Sequence, residues 1–246
     1  MDALTDILMS EEVIRLGVGI YSRADAARLL GISAQRLRRW VGGYTYWLRS
    51  ATNTTRRARP ALIQSDLPIV DDTLALSFVE LMELRVVVRL LDLGVPLQRI
   101  RTAAGIAAKE FATQHPFASE RVFTDGRQVF AAVSGEAVAP DIVELPRRKH
   151  TQLVSGRVFE PFLQELDFDK HTALAERWWP LGKGIPVVLD PRVAFGAPIV
   201  AGTSIRTRTI GSLAAESPAE EIARAYHISR AQVRAAARFE KQIRAA

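Results

Sequence analysis

The chain has 246 residues, of which 48% are hydrophobic and 24% charged, with a net charge of +6 and no cysteine. This is the composition of a soluble globular protein of one or two domains, and it excludes a disulfide framework and thiolate metal sites. No apolar run approaches the roughly 20 residues that cross a bilayer, and the opening segment carries Asp2, Asp6, Glu11 and Glu12 against Arg15 alone, the reverse of a secretory signal. A cytoplasmic protein with no membrane partner is expected.

Residues 1–20 place Leu4, Ile7, Leu8, Val13, Ile14 and Leu16 near helical spacing, which predicts a leading helix. The organising stretch follows, SRADAARLLGISAQRLRRWV from Ser22 to Val41. Ser22 with Asp25 caps a first helix, Gly31 permits the turn that ends it, and Ser33 caps a second helix whose Leu37, Trp40 and Val41 share a face. Ala27, Gly31 and Leu37 fall at the spacing of a helix-turn-helix, where two helices approach closely. At about 100° per residue, Gln35 and Arg39 lie opposite Leu37, with Arg36 and Arg38 on the shoulders. Gln can bond adenine bidentately and Arg guanine, and shoulder arginines can take phosphates, so this face suits a major groove. The plainer reading is a solvated basic face on an ordinary hairpin.

Charge separates the two readings. From Tyr21 to Gln64 there are nine arginines against one acid, Asp25, a balance of +8, so the rest of the chain sums to −2. Such segregation is the footprint of a polyanion-binding module. Tyr44 to Leu48 reads as an aromatic strand and Ala61 to Gln64 as its return, giving a β-hairpin wing whose tip carries Arg56, Arg57 and Arg59. A wing beside a recognition helix reaches the backbone or minor groove; otherwise the segment is a basic unordered loop. The predicted DNA-binding set is Ser33, Gln35, Arg36, Arg38, Arg39, Arg56, Arg57 and Arg59.

Leu74 to Leu93 predicts a long helix ended by Gly94. Its apolar surface exceeds one core contact, which points to packing within its domain and across a homodimer interface. A helix over 97–113 follows, then a hairpin over 122–133 around Asp125-Gly126. The order of capped helix-turn-helix, wing, long helix, LLDLGVPLQRIRTAAG and hairpin resembles a MerR-type winged DNA-binding domain over residues 21–133. The segment from Ser50 to Thr73 is longer than the connection such regulators use, and the cysteines of their metal-sensing members are absent.

From 134 to 184 periodicity fades and Pro140, Pro146, Pro161 and Pro180 punctuate a linker with short strands; RRKH at 147–150 reads as solvated, and Trp178-Trp179 as a plug joining two halves. Residues 185–246 hold a strand, the GAPIVAGTSI run from Gly196 to Ile205, and a second, homeodomain-like helix-turn-helix. Ser217 with Glu220 and Ser229 with Gln232 predict its caps. An offset of 196 aligns Ala27, Arg28, Ile32, Ser33 and Arg38 with Ala223, Arg224, Ile228, Ser229 and Arg234. The equivalents of Gln35 and Arg39 are Ala231 and Ala235, too short to reach base edges, so base reading is given mainly to the first motif and protein contact or dimerisation to the second.

Asp190, Pro191, Gly196, Pro198, Gly202, Thr203, Ile205, Pro218, Glu221, Ile222 and Val233 meet the D-P-x-x-x-x-G-x-P-x-x-x-G-T-x-I signature and the helix that follows it. This stretch resembles the small domain of unknown function found in VapB-like antitoxins. The resemblance implies a partner toxin similar to a PIN-domain ribonuclease, which the antitoxin binds and silences, and binding to its own double-stranded operator DNA as an autorepressor. The expected fold is mainly α with small β elements, an α+β chain. The alternative is a MerR-like transcriptional regulator that senses a small molecule through residues 134–246. An enzyme is not expected: His115, His150, His171 and His227 lack metal-ligand spacing, there is no phosphate loop or nucleophile elbow, and Asp71-Asp72 or Asp167 with Asp169 read as solvated acids. No catalytic residue, cofactor or metal is assigned.

Overall fold

Two serines begin the first two helices, as their spacing predicts. A computed structural model of the chain describes residues 18–49, 54–63, 65–67, 69–70, 73–124, 129 and 160–245. The leading helix over 3–16, the Asp125-Gly126 turn, Asp71-Asp72 and the run at 147–150 fall outside the described residues. After a two-residue strand β1 (Tyr21–Ser22), the Ser22 hydroxyl accepts the Asp25 amide at 3.1 Å and caps α1 (Arg23–Leu30). Gly31 ends α1 at φ +65°, a left-handed conformation that costs most residues strain and glycine little. Ser33 then accepts the Arg36 amide at 3.2 Å and starts α2 (Ala34–Val41), which buries Leu37, Trp40 and Val41.

The wing follows at once. Strand β2 (Tyr44–Arg49) pairs antiparallel with β3 (Thr54–Arg59), Tyr44 opposite Arg59 and Arg49 opposite Thr54. The return strand is therefore Thr54–Arg59, not Ala61 to Gln64, and the three arginines line the strand and not the hairpin tip. Residues 61–63 instead close onto α2, the amides of Leu62 and Ile63 both donating to the Trp40 carbonyl. Every residue of β3 is exposed, so no apolar alternation marks it as a strand. A second small sheet orders β1 beside β5 (Thr73–Leu76), and β5 beside β4 (Ile69–Val70). Leu74 thus pairs with Ile69, and Ala75 and Leu76 pair with Ser22 and Tyr21, so the long helix begins later than predicted.

That helix, α3 (Phe78–Asp92), starts at a complete capping box in which Ser77 accepts the Glu80 amide and Glu80 accepts the Ser77 amide. Its apolar surplus is covered inside the chain: Phe78, Leu81, Met82, Leu84, Val86, Val87 and Leu90 are all essentially inaccessible. The surface that suggested a dimer contact is used for the core. Helix α4 (Leu97–Glu110) and a 3-10 turn (Pro116–Ala118) lead into α5 (Glu120–Thr124), where the sequence predicts a hairpin strand. Val122 and Phe123 are both buried, which a strand facing one core cannot do with neighbours, and Phe123 stacks on Phe162 at 5.9 Å.

The described part of the expected linker is core structure. Helix α6 (Glu160–Glu165) runs into β6 (Leu166–Phe168), which pairs with β7 (Ala175–Trp178). Arg85 of α3 lies between the rings of Phe162, at 4.4 Å, and Trp178, at 5.0 Å, and pairs with Glu165, so Trp178 does join the two halves. The C-terminal part pairs β8 (Val187–Val188) with β9 (Ile199–Val200) and adds α7 (Thr207–Leu213), α8 (Ala219–Tyr226) and α9 (Arg230–Ala245). Ser229 and Gln232 form the predicted reciprocal cap of α9. Ser217 does not cap α8: Pro218 occupies the cap, and the Glu220 carboxylate turns to Arg230 at 3.0 Å. Where Gly31 ends α1, His227 ends α8 with φ +53°. The architecture is thus mainly helical with small antiparallel hairpins. One continuous core runs from Tyr21 through α3 and Trp178 to Phe239 and Ile243.

Candidate nucleic-acid interface

On α2 the burial of Leu37, Trp40 and Val41 fixes the helix rotation, so Gln35, Arg36, Arg38 and Arg39 all project outward. Arg36 lies over the Trp40 ring at 4.9 Å and Arg39 over Tyr44 at 5.9 Å. Such cation–π contacts hold a guanidinium in place while leaving its donors to solvent. Gln35 and Arg38 have no side-chain partner among the described residues. Ser33 is spent on the helix cap, so its hydroxyl positions the helix start.

In the wing, partner residues across the ladder share a face. Tyr44 faces Arg59 and Tyr46 faces Arg57 on the side to which Arg39 reaches; Trp47 and Arg56 occupy the other. Helix α2 and the Arg57–Arg59 edge are therefore linked through Tyr44, while Arg56 stands apart from them beside Trp47, which is 66% exposed. The base of the wing is held by α4. Arg101 donates to the carbonyls of Pro60, at 2.8 Å, and Ala61, at 3.0 Å, and Arg59 donates to Gln98 at 3.3 Å. Burial, and after it the charge of Arg59, lower the pKa of Arg101.

Tyr44, Tyr46, Trp47, Gln98 and Arg101 were not singled out from the sequence. Pairing TTRRAR against YTYWLR would have interleaved rings with cations and exposed the first three. Arg101 carries no local signal, because its targets lie 40 residues away in the chain. The two acids have structural partners: Asp167, in β6, takes Lys183 and the Trp179 indole, and Asp169 takes the amides of His171 and Thr172.

One signature residue of the C-terminal part, Gly196, sits against the start of the first motif. The Tyr21 hydroxyl donates to the Gly196 carbonyl at 2.7 Å, and the Ile20 amide donates to the Phe195 carbonyl at 3.0 Å. Gly196 has φ +82°, and a Cβ there would stand 2.4 Å from the Tyr21 oxygen. Thr203 bonds the Val200 carbonyl and receives the Ile205 amide, closing the turn after β9.

These features define a helix-turn-helix protein with a basic wing. Residues 19–104 match a family described as "Putative DNA-binding HTH domain", and residues 187–239 match "Protein of unknown function (DUF433)". The chain is 30% identical over 229 residues, 90% of its length and 93% of the relative's, to a Mycobacterium tuberculosis protein described as "Putative antitoxin VapB45". It belongs to the family of that VapB antitoxin. The crystal structure of Rv2018 from Mycobacterium tuberculosis superposes with a TM-score of 0.66 at 25% identity, covering 91% of this chain and 99% of that one.

Proposed function

We propose that this chain is the antitoxin of a toxin–antitoxin pair and that it binds its own operator, repressing its own expression, while holding a PIN-like ribonuclease toxin silent. The observation that carries the DNA half is the outward face of α2, where Gln35, Arg36, Arg38 and Arg39 are all exposed beside a wing edged with arginine. Gln35 and Arg39, at the crown of the helix, read base edges in the major groove. Arg36, Arg38, Arg57 and Arg59 take phosphates, and Arg56 with Trp47 reaches the flank of the wing. The family relationship supports the toxin half. Two copies on a two-fold operator complete the proposal, since paired recognition helices read half-sites about one turn apart.

A mobility-shift series on the DNA upstream of the gene tests it. Arg39→Ala relaxes base preference by about 1–3 kcal/mol at one position, whereas Arg57→Ala leaves preference intact and lowers the salt slope by about 0.9. Wild-type affinity in an Arg36→Ala, Arg39→Ala double variant refutes the DNA half. Failure of the full-length chain to bind or inhibit a ribonuclease encoded beside it refutes the other.

One observation favours a second reading, a regulator that senses a small molecule. A cavity of about 640 Å³ opens at the root of the wing between α3, α4 and residues 61–63 and 65–66, and Glu83, His115, Asp66 and Arg101 line it. A small molecule that changes operator affinity without any toxin present distinguishes this reading.

A further inference from the structure

The second helix-turn-helix was expected to offer its outer face to a protein. In the structure that face is divided. Ala235, equivalent to Arg39, is buried, and with Phe239 and Ile243 it forms a row at four-residue spacing in the core shared with α1. Val233 and Ala236 fill the small C-terminal core, and Glu240 bonds Thr207 at 2.6 Å. Both packing rows lie within about half of the helix circumference.

The other half is basic. At about 100° per residue, Arg230, Arg234, Arg238, Lys241 and Arg244 fall within an arc of roughly 120° opposite Phe239. All five are exposed. Arg230 pairs with Glu220, whose carboxyl it holds below the usual range, and Arg234 is near the same carboxylate. Arg234, Arg238, Lys241 and Arg244 have no hydrogen-bond or ion-pair partner among the described residues. No acid shares their arc, and the residues between them are alanines.

We propose that this edge of α9 is a second DNA-contacting surface, in which Arg234, Arg238, Lys241 and Arg244 meet the sugar-phosphate backbone of a duplex without reading its sequence. The proposal rests on the reading of the chain as a duplex-DNA binder and extends it to a part of the molecule that the recognition helix does not include. Successive cations rise by about 6 Å per four residues, so the row spans several phosphates of one strand. The absence of aromatic or large apolar side chains from the row argues against a protein partner, because protein interfaces are anchored by such groups. A second basic surface facing away from α1 lets one chain engage DNA beyond the groove entered by α2.

Fluorescence anisotropy of the full-length chain with a labelled 30-base-pair duplex of unrelated sequence, over a salt series, tests this. The quadruple variant Arg234→Ala, Arg238→Ala, Lys241→Ala, Arg244→Ala is expected to lower the slope of log affinity against log salt by about three to four. The conservative variant Arg234→Lys, Arg238→Lys, Arg244→Lys keeps the wild-type slope, since a phosphate contact needs only a point charge. All these residues are exposed, and an unchanged circular dichroism spectrum shows that the fold is retained. An unchanged slope in the quadruple variant, with a reduced slope in Arg36→Ala, Arg39→Ala, overturns the proposal and leaves the first reading standing. Loss of toxin binding in the quadruple variant at an unchanged slope assigns the row to an acidic protein and equally overturns it. No salt-dependent binding by the wild type removes both.

Discussion

Replacing Gly196 by alanine strikes the point at which the C-terminal signature is fastened to the first helix-turn-helix. Two costs arise there and they can be separated. At φ +82° a residue with a Cβ loses about 1–2 kcal/mol by backbone strain alone. The new carbon also stands 2.4 Å from the Tyr21 hydroxyl, which must move and give up its bond to the Gly196 carbonyl. A buried hydroxyl left without a partner costs about a further 1–3 kcal/mol. Burial, and then the charge of Asp190, push the Tyr21 pKa far up, so the group stays a donor at any working pH. Gly202 is the internal control: its φ is +80°, yet its Cβ would meet nothing within 4 Å. Gly202→Ala should therefore lose only the strain. In urea titrations Gly196→Ala is expected to unfold about 0.3–1 M earlier than Gly202→Ala at a slope of about 3 kcal/mol per molar. Tyr21→Phe in the Gly196→Ala background removes the crowded oxygen, so the double variant is less destabilised than the sum of the two. Equal midpoints for the two glycine variants, together with additive losses in the double variant, refute the reasoning.

Two more outcomes follow from the buried groups and from backbone strain. His115 lies between Glu83, at 3.1 Å, and Asp66, at 2.6 Å; burial alone lowers its pKa, but the hydrogen bonds and charges of both acids overcome this and raise it to about 9. A pKa raised on folding gives stability that is complete below about 6.5 and lost as pH rises through about 9. The urea-derived stability should therefore fall by about 2–3 kcal/mol between pH 6 and pH 10, and His115→Gln should flatten this dependence; an equal fall in the variant excludes His115 as its source. His227→Gly removes a left-handed strain that Gly31 avoids in the first motif and is expected to raise the melting temperature by roughly 1–3 °C, whereas a lower value shows that the His227 side chain contributes more than its backbone costs.

The first helix-turn-helix was legible because its signals are local: Ser22, Asp25, Gly31 and Ser33 act within a few residues, and Leu37, Trp40 and Val41 set the helix rotation. The wing was legible in kind but not in register. The apolar stretch at 61–63 looks more like a strand than TTRRAR does, yet it is drawn to the Trp40 carbonyl, while the polar run pairs through its backbone with β2. Val122 and Phe123 were assigned to a hairpin by the Asp125-Gly126 signal, and the burial of both, with Phe123 stacked on Phe162, decided for a helix. The contacts that unite the chain join residues as far as 175 positions apart, as Tyr21 and Gly196 are, and no local pattern announces them. The basic row on α9 was not read from the sequence, although Arg230, Arg234 and Arg238 recur there at four-residue spacing. Which side of that helix was free depended on Phe239 and Ile243 finding α1.

Because Tyr21, Phe78, Trp178, Phe239 and Ile243 belong to one apolar cluster, the first helix-turn-helix and α9 share a core and are coupled in unfolding. Any macromolecule that recognises only the folded form at one end therefore protects the other end as well, by about 2.7 kcal/mol when present at a hundredfold excess over its dissociation constant. On the proposed function, a toxin bound to the C-terminal part would in this way lengthen the lifetime of the first helix-turn-helix, and operator occupancy would shield the C-terminal part from proteases that need an opened chain.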